Sequence, residues 1–362
     1  MSYSPIDKPT DFFNSVIYTG NGSSPRSITG VGFQPDFNWT KSRSASGSHV
    51  LANSVSGATK QLVTNNSSAE ATNGVYGYLS AFGSDGWTMT TGSSDFSRMN
   101  TNSATYVSWN WLAGTSFTND ASSTGIGTID STGSVSDTAG FSIVSYTGTG
   151  SNGTVKHGLS TAPSMMIVKQ RNSTENWTVY HSSIGNPAQY IELNSTGAVL
   201  TNSAVWNSTN PTSSVFSVGT NARTNNNTSN YIAYCFNDVK GYSKFGSYTG
   251  IGNGNNASNA DGTFVYTGFK PAFFLVKSTG SFNWLMYDDK RDPLNPNTST
   301  IIPDDSGAEY FPTSGRDVDF LSNGFKMRAN YNGNNASGVS FIYMAFAESP
   351  FVGSNFVPNN AE

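Results

Sequence analysis

The side chains that could do chemistry are few and widely scattered. There are three histidines, His49, His157 and His181. A catalytic histidine needs a carboxylate to orient it and a nucleophile to serve. No Gly-x-Ser-x-Gly elbow, His-Glu-x-x-His pair or phosphate-binding loop accompanies any of the three. Three lysines, Lys41, Lys169 and Lys277, recur at the end of strand-like runs. They would serve either as ligand contacts or as scaffold residues. In the second role the stem covers a sandwich edge and the ammonium reaches water or a loop carboxylate. Repetition within one chain favours the scaffold. Acidic loops stand at Asp288-Asp289, Asp304-Asp305 and Asp317-x-Asp319. Paired carboxylates can hold Ca²⁺ with backbone carbonyls and water, but none of these matches an EF-hand loop, and solvated turn acids are commoner. No cofactor is expected. Six of the seven tryptophans, Trp39, Trp87, Trp111, Trp177, Trp206 and Trp284, could stack on sugars. Most lie in strand-like runs and read as core. Trp206, within Asn202–Asn210, is the best candidate for an exposed ligand-binding ring.

The elements that must position these residues come three times. Tyr18-Thr19-Gly20, Tyr146-Thr147-Gly148 and Tyr248-Thr249-Gly250 each open a series of landmarks in the same order. Pro35, Pro163 and Pro271 follow, each six residues before its lysine. Trp177 and Trp284 come eight and seven residues after theirs, and His49 holds that place in the first copy. His181 falls opposite Asp288. An aromatic run closes each copy: Tyr106–Trp111, Tyr231–Phe236 and Phe341–Phe346.

Composition sets the fold class. Of 362 residues, 12% are charged, about half the usual share, and 13% are aromatic. Helix formers are scarce; turn residues and β-formers abound. The expected fold is all-β, with three tandem homologous antiparallel sandwiches of jelly-roll or lectin-like type. The expected boundaries are an arm at 1–15, modules at 16–114, 140–245 and 246–351, a linker or weak hairpin at 115–139, and a tail at 352–362. Phe37 and Trp39 alternate with polar neighbours, as in a strand buried on one face. Met165–Lys169 is apolar on both faces and reads as a central strand. The short junction near Gly241–Gly246 predicts tight packing of the last two modules, with a closed triangle or a row as alternative arrangements.

The net charge of −4 and the absence of a Lys/Arg cluster argue against nucleic acid. No run approaches the roughly 18 apolar residues of a membrane span, and the N-terminal residues have no apolar core for a signal peptide. Synthesis in the cytoplasm is therefore expected. A lone cysteine, Cys235, in an apolar run reads as a buried thiol.

Several strings together resemble a repeat module of marine tailed-bacteriophage virion proteins. They are Tyr-Thr-Gly-Asn-Gly (18–22), Gly-Phe-Gln-Pro-Asp-Phe (32–37), Ser-His-Val-Leu (48–51) and Ser-Asp-Gly-Trp (84–87). Further matches are Thr-Tyr-Val-Ser-Trp-Asn-Trp-Leu-Ala-Gly (105–114), Ala-Gly-Phe-Ser-Ile-Val-Ser-Tyr-Thr-Gly (139–148) and Asn-Trp-Thr-Val-Tyr-His (176–181). The resemblance covers nearly the whole chain. It implies a concanavalin-like, lectin-type sandwich on the virion surface, other virion proteins of tail or capsid as partners, and host-surface glycans as a ligand class. It carries over no catalytic residue. Fibre proteins of this type are commonly homotrimers, a stoichiometry the sequence leaves open. The chain departs from shafted fibres in having no coiled coil or β-helical repeat. Three roles remain: a tail-fibre or adhesin component as the leading one, a capsid decoration, and, from another class, a polysaccharide depolymerase with paired carboxylates in a cleft.

Overall fold

The computed structural model describes residues 4–252, 261–310 and 315–352. The first three residues of the arm and all but Val352 of the tail lie outside the described residues. The chain is all-β, with antiparallel sheets and only single-turn helices.

Each module is built on a strand that opens it and pairs with the strand that closes it. In the first, the opening strand Phe13–Thr19 lies beside the closing strand Thr105–Trp111. The closing strand pairs in turn with the central strand Phe37–Ser42, which pairs with the flanking strand Val50–Asn53. The second repeats that order with Phe141–Thr147, Asn230–Phe236, Met165–Gln170 and Thr178–His181. The third repeats it with Ser243–Thr249, Ser340–Pro350, Phe269–Ser278 and Leu285–Asp288. A smaller second sheet covers one face of each, built from strands such as Arg26–Thr29 and Gly86–Thr90, Gly153–Lys156 and Val215–Val218, or Phe264–Tyr266 and Gly324–Met327.

Four apolar cores follow. Each module has its own, between its large and small sheets. The fourth is shared: the other faces of all three large sheets meet, with Phe13, Phe37 and Trp111 against Phe141, Tyr234 and Phe236 and against Phe273 and Phe346. Rings stack across module boundaries, Phe37 on Tyr234 at 4.4 Å and Phe13 on Phe346 at 5.1 Å. Each such side chain contributes about 1.5–3 kcal/mol on leaving water. The modules therefore close into a triangle around one aromatic centre.

That closure accounts for several departures from expectation. The large sheets are covered on both faces, so Phe37–Ser42 is buried at every position rather than on one face. Its polar positions turn into the first module's own sandwich and satisfy one another: Asn38 Nδ2 donates to Ser108 Oγ and Asn110 Oδ1, and Thr40 Oγ1 to Asn38 Oδ1. The arm ends earlier than residue 15, because Phe13 has the shared core to fill. The boundary expected at 245/246 falls inside the strand Ser243–Thr249 for the same reason, with Phe245 in that core. Residues 115–139 are no linker. Thr115–Asn119 and Ser131–Ser136 form a hairpin that pairs onto Phe141–Thr147 and widens the second sheet. Pro271 lies within the strand Phe269–Ser278, at a register shift that leaves its missing N–H unneeded.

The Tyr-Thr-Gly motif is a packing device. Tyr18, Tyr146 and Tyr248 each stack at 5.1 Å on the first ring of the closing strand: Tyr106, Tyr231 and Phe341. Their hydroxyls donate to the carbonyls of Met99, Thr224 and Asn334. A Cβ on Gly20, Gly148 or Gly250 would lie 2.0–2.3 Å from a backbone oxygen, so only glycine fits there.

Candidate functional site

Five of the residues singled out for their chemistry, His49, Trp177, His181, Trp284 and Asp288, lie in the seams between modules. His49 Nδ1 accepts from Trp39 Nε1 at 2.9 Å, so its Nε2 carries the proton and donates to Ile302 O of the third module at 2.9 Å. Trp177 Nε1 donates to Val63 O of the first module, and Trp284 Nε1 to Glu192 O of the second. Val63, Glu192 and Ile302 occupy equivalent places, each one residue past the partner of Leu51, Val179 or Met286. A histidine thus does the work of an indole N–H in one seam out of three. Behind each ring, the backbone N–H of His49, Trp177 or Trp284 donates to the side chain of Asn65, Asn194 or Asp304.

His181 and Asp288 also turn out to be seam residues, and Asn53 is their counterpart. Each ends a flanking strand and meets the closing strand of the next module. Asn53 Nδ2 donates to Tyr234 OH, Asp288 Oδ2 accepts from Trp109 Nε1, and His181 Nε2 donates to Tyr343 O. The unlike side chains answer unlike partners. Where the closing strand offers a hydroxyl an amide meets it, where it offers an indole a carboxylate does, and beside Met344 the histidine uses a backbone carbonyl.

All three histidines are neutral and have both ring nitrogens occupied. His157 Nδ1 accepts from Leu159 N, and its Nε2 donates to Thr212 O; His181 Nδ1 accepts from Ser183 N. Burial pushes the pKa of His157 and His181 down to about 4. Burial first, with Lys41 adding to it, pushes His49 well below the ordinary range. None has a nitrogen left to take a substrate proton.

The three lysines are fully buried, so their ammoniums do not reach water. Lys41 Nζ donates to Ser42 O at 2.8 Å, Lys169 Nζ to Gln170 O at 2.8 Å and Ser67 O of the first module at 3.2 Å, and Lys277 Nζ to Ser278 O and Gly280 O. Burial lowers each to about 8. They fix the loop that follows each central strand by filling its carbonyls with donors.

Two seams add an ion pair. Arg171 grips Glu70 with two bonds of 2.8 and 2.9 Å, and Arg43 Nε meets Glu309 Oε2 at 2.8 Å. In the third seam Thr279 and Val199 stand at these places, and only the backbone bond Val199 N to Thr279 O remains. Arg291, fully buried, joins Asp288 and Glu309 in the seam between modules three and one.

The remaining candidates do not form a site. Trp206 is 1% exposed and belongs to the second module's core, against Tyr180. It is therefore no exposed sugar platform: Asn202 caps a single helical turn whose apolar face carries Val205 and Trp206 inward. Cys235 is buried. The paired acids diverge: Asp304 caps Trp284, Asp305 Oδ1 accepts from Gly307 N, and Asp319 meets Arg328. Among the described residues, no three His, Cys, Asp or Glu side chains group as metal ligands, and no helix is long and apolar enough to cross a membrane. A cleft of about 330 Å³ on the third module is lined by Lys270, Asp289, Asp292, Phe320 and Glu348. Of its lining, the sequence singled out Asp289, in the pair Asp288-Asp289. Burial, then Asp288 and Glu348, raise Asp289 to about 7, and its Oδ1 has no hydrogen-bond partner.

Fold and seams together define a three-module all-β protein closed on itself, with a ring donor at the head of each flanking strand bonded to a carbonyl of another module. The chain belongs to the family described as "Domain of unknown function (DUF7483)", whose model matches residues 8–350. That span takes in all three modules as one unit. No curated protein matches the chain.

Proposed function

We propose that the chain is a non-enzymatic protein of a bacteriophage virion surface, synthesised in the host cytoplasm, bound to other virion proteins and serving host attachment as a tail-fibre or adhesin component with lectin-type modules. One observation carries the non-enzymatic part: the histidines and recurrent lysines are buried and hydrogen-bonded into seams and loops, which leaves recognition to the exposed loops. The motif strings between Tyr18 and His181 support the phage origin. Capsid decoration is the second reading. It is favoured by the bonds His49–Ile302 and Arg43–Glu309, which return the last module to the first and make one closed block.

Mass spectrometry of gradient-purified particles tests the assignment, with the chain expected in the virion fraction. Its recovery only in the soluble lysate would overturn the reading. Incubation of the purified protein with host surface polysaccharide tests the role. Binding without release of reducing ends is expected. Cleavage that disappears in Asp289→Asn would instead establish a depolymerase working from the third module's cleft.

A further inference from the structure

The cleft of about 330 Å³ on the third module forms where strand ends meet one loop. Lys270 comes from the central strand Phe269–Ser278, Glu348 from the closing strand Ser340–Pro350 and Phe320 from Val318–Leu321 of the small sheet. Residues 289–295, which follow the flanking strand Leu285–Asp288, supply the rest of the lining. That loop is held from within. Asp292 Oδ2 accepts from Thr298 N, and Asn297 Nδ2 donates to Asp288 O and Asp292 O. Asn295 bonds both backbone groups of Phe320, at 2.8 and 2.9 Å. The walls are therefore set before a ligand arrives, which spares the cost of ordering them on binding. The volume lies at the lower end of the roughly 300–1,000 Å³ of small-ligand sites.

The other two modules show what the scaffold asks for at this place. Asp289 N donates to Ala272 O, as Ser54 N does to Asp36 O and Ser182 N to Ser164 O. A serine thus serves twice where the third module has a carboxylate. The carboxylate is no gain to the fold. Its Oδ1 is buried without a hydrogen-bond partner, and a buried acceptor left unsatisfied costs stability. Glu348 differs in the same way. Two residues past Phe346, it falls opposite Ala113 and Asp238 of the other closing strands. Asp238 is engaged in the fold, accepting from Phe245 N and Ser164 Oγ. Glu348 Oε2 instead meets Lys270 Nζ at 3.1 Å in the wall of the cleft.

From this we infer that the cleft binds an uncharged sugar residue of a surface glycan. The ligand class follows from charge. Lys270 and Lys290 stand among Asp289, Asp292 and Glu348. An anion would meet three carboxyl groups there, and an ammonium compound two amines. A neutral polyol meets neither penalty. Each of its hydroxyls both donates and accepts, so it donates to Asp289 and Glu348 and accepts from Lys290. Phe320 and Pro293 give the cleft an apolar edge for the C–H face of a sugar ring.

The inference rests on the attachment reading, and one experiment separates the two. The protein is titrated with host surface polysaccharide. Glucose, galactose, mannose and N-acetylglucosamine serve as neutral competitors, glucuronate and glucosamine as charged ones. Displacement by at least one neutral sugar and by neither charged one is expected. Asp289→Ser, which matches the other two modules, is expected to keep a Tm no lower than wild type and to bind the polysaccharide roughly tenfold more weakly. Lys290→Ala, at an exposed position, is expected to weaken binding about threefold. Polysaccharide binding that both variants retain in full overturns the cleft and leaves the attachment reading standing. Displacement by none of the neutral sugars, or by a charged one, overturns the ligand class. A fall in Tm in Asp289→Ser makes the carboxylate a structural group and overturns its assignment. No binding of the polysaccharide by wild type overturns the attachment reading and the inference together.

Discussion

The seam between modules three and one and the seam between modules two and three are built on the same backbone and ring contacts yet differ in charge. The first holds Arg43, Glu309, Arg291 and Asp288, with both charged groups of the Arg291–Glu309 pair fully buried. The second has Thr279 and Val199 at the places of Arg43 and Glu309. Both keep the ring-to-carbonyl bond, His49 to Ile302 in one and Trp284 to Glu192 in the other. Common to every seam are the shared apolar core and the hydrogen bonds that keep buried carbonyls satisfied. The ion pairs are additions, worth little where exposed and costly to break where buried.

That contrast can be broken most forcefully at Arg291. Arg291→Leu leaves Asp288 buried without its counter-charge and Glu309 with Arg43 alone, and a loss on the order of 3–5 kcal/mol is expected. Urea unfolding measures it; a change below 1 kcal/mol would mean that the two carboxylates find other partners. Trp284→Phe keeps the ring and removes the donor to Glu192 O. The expected loss is about 1–3 kcal/mol, and a thermal midpoint equal to wild type would show that water replaces the indole.

Lys277→Met probes the support beneath a loop through its pH dependence. The folded pKa is about 8 against an ordinary 10.5. Below pH 8 the amine is charged in both states. Between pH 8 and 10.5 the folded chain has released a proton that the unfolded chain still holds, so stability rises with pH. Urea midpoints at pH 7.5 and 9.5 should show a smaller rise in the variant than in wild type. An equal rise would assign the slope to other groups. The smallest effect is expected from grafting the charge pair into the neutral seam. Val199→Glu with Thr279→Arg should show a coupling of about 0.2–1 kcal/mol in a double-mutant cycle. A coupling above 2 kcal/mol would show that the seams depend on their ion pairs after all.

Much of the fold was legible in order and spacing. Pro35, Pro163 and Pro271 with their lysines located three central strands, and the closing aromatic runs located their neighbours. Burial was harder to read. Asn38 and Thr40 looked solvent-facing because polar residues at alternate positions normally are; here the second face is also covered, and cross-strand hydrogen bonds make it tolerable. Residues 115–139 read as a linker or a weak hairpin because they contain little to bury; the hairpin forms, since strand pairing at a sheet edge needs only backbone groups. Trp206 looked exposed from its Asn- and Ser-rich neighbours, which are the capping residues of a turn that carries the ring inward. Of the candidate chemistry, the replacement of Trp by His49 was visible in the alignment of copies. Its use as a proton donor to another module was not, since Ile302 is distant in sequence.

By itself the sequence determined the class of fold and the threefold repetition of landmarks, because composition and spacing are local properties. The tertiary structure alone decided that the three large sheets share one aromatic core, and that His49, His181, Asp288 and Glu309 lie in seams between modules. Those facts depend on which module packs against which. The free energy of that choice comes from apolar area and carbonyl satisfaction across contacts more than a hundred residues apart, as in His49 with Ile302 and Trp177 with Val63.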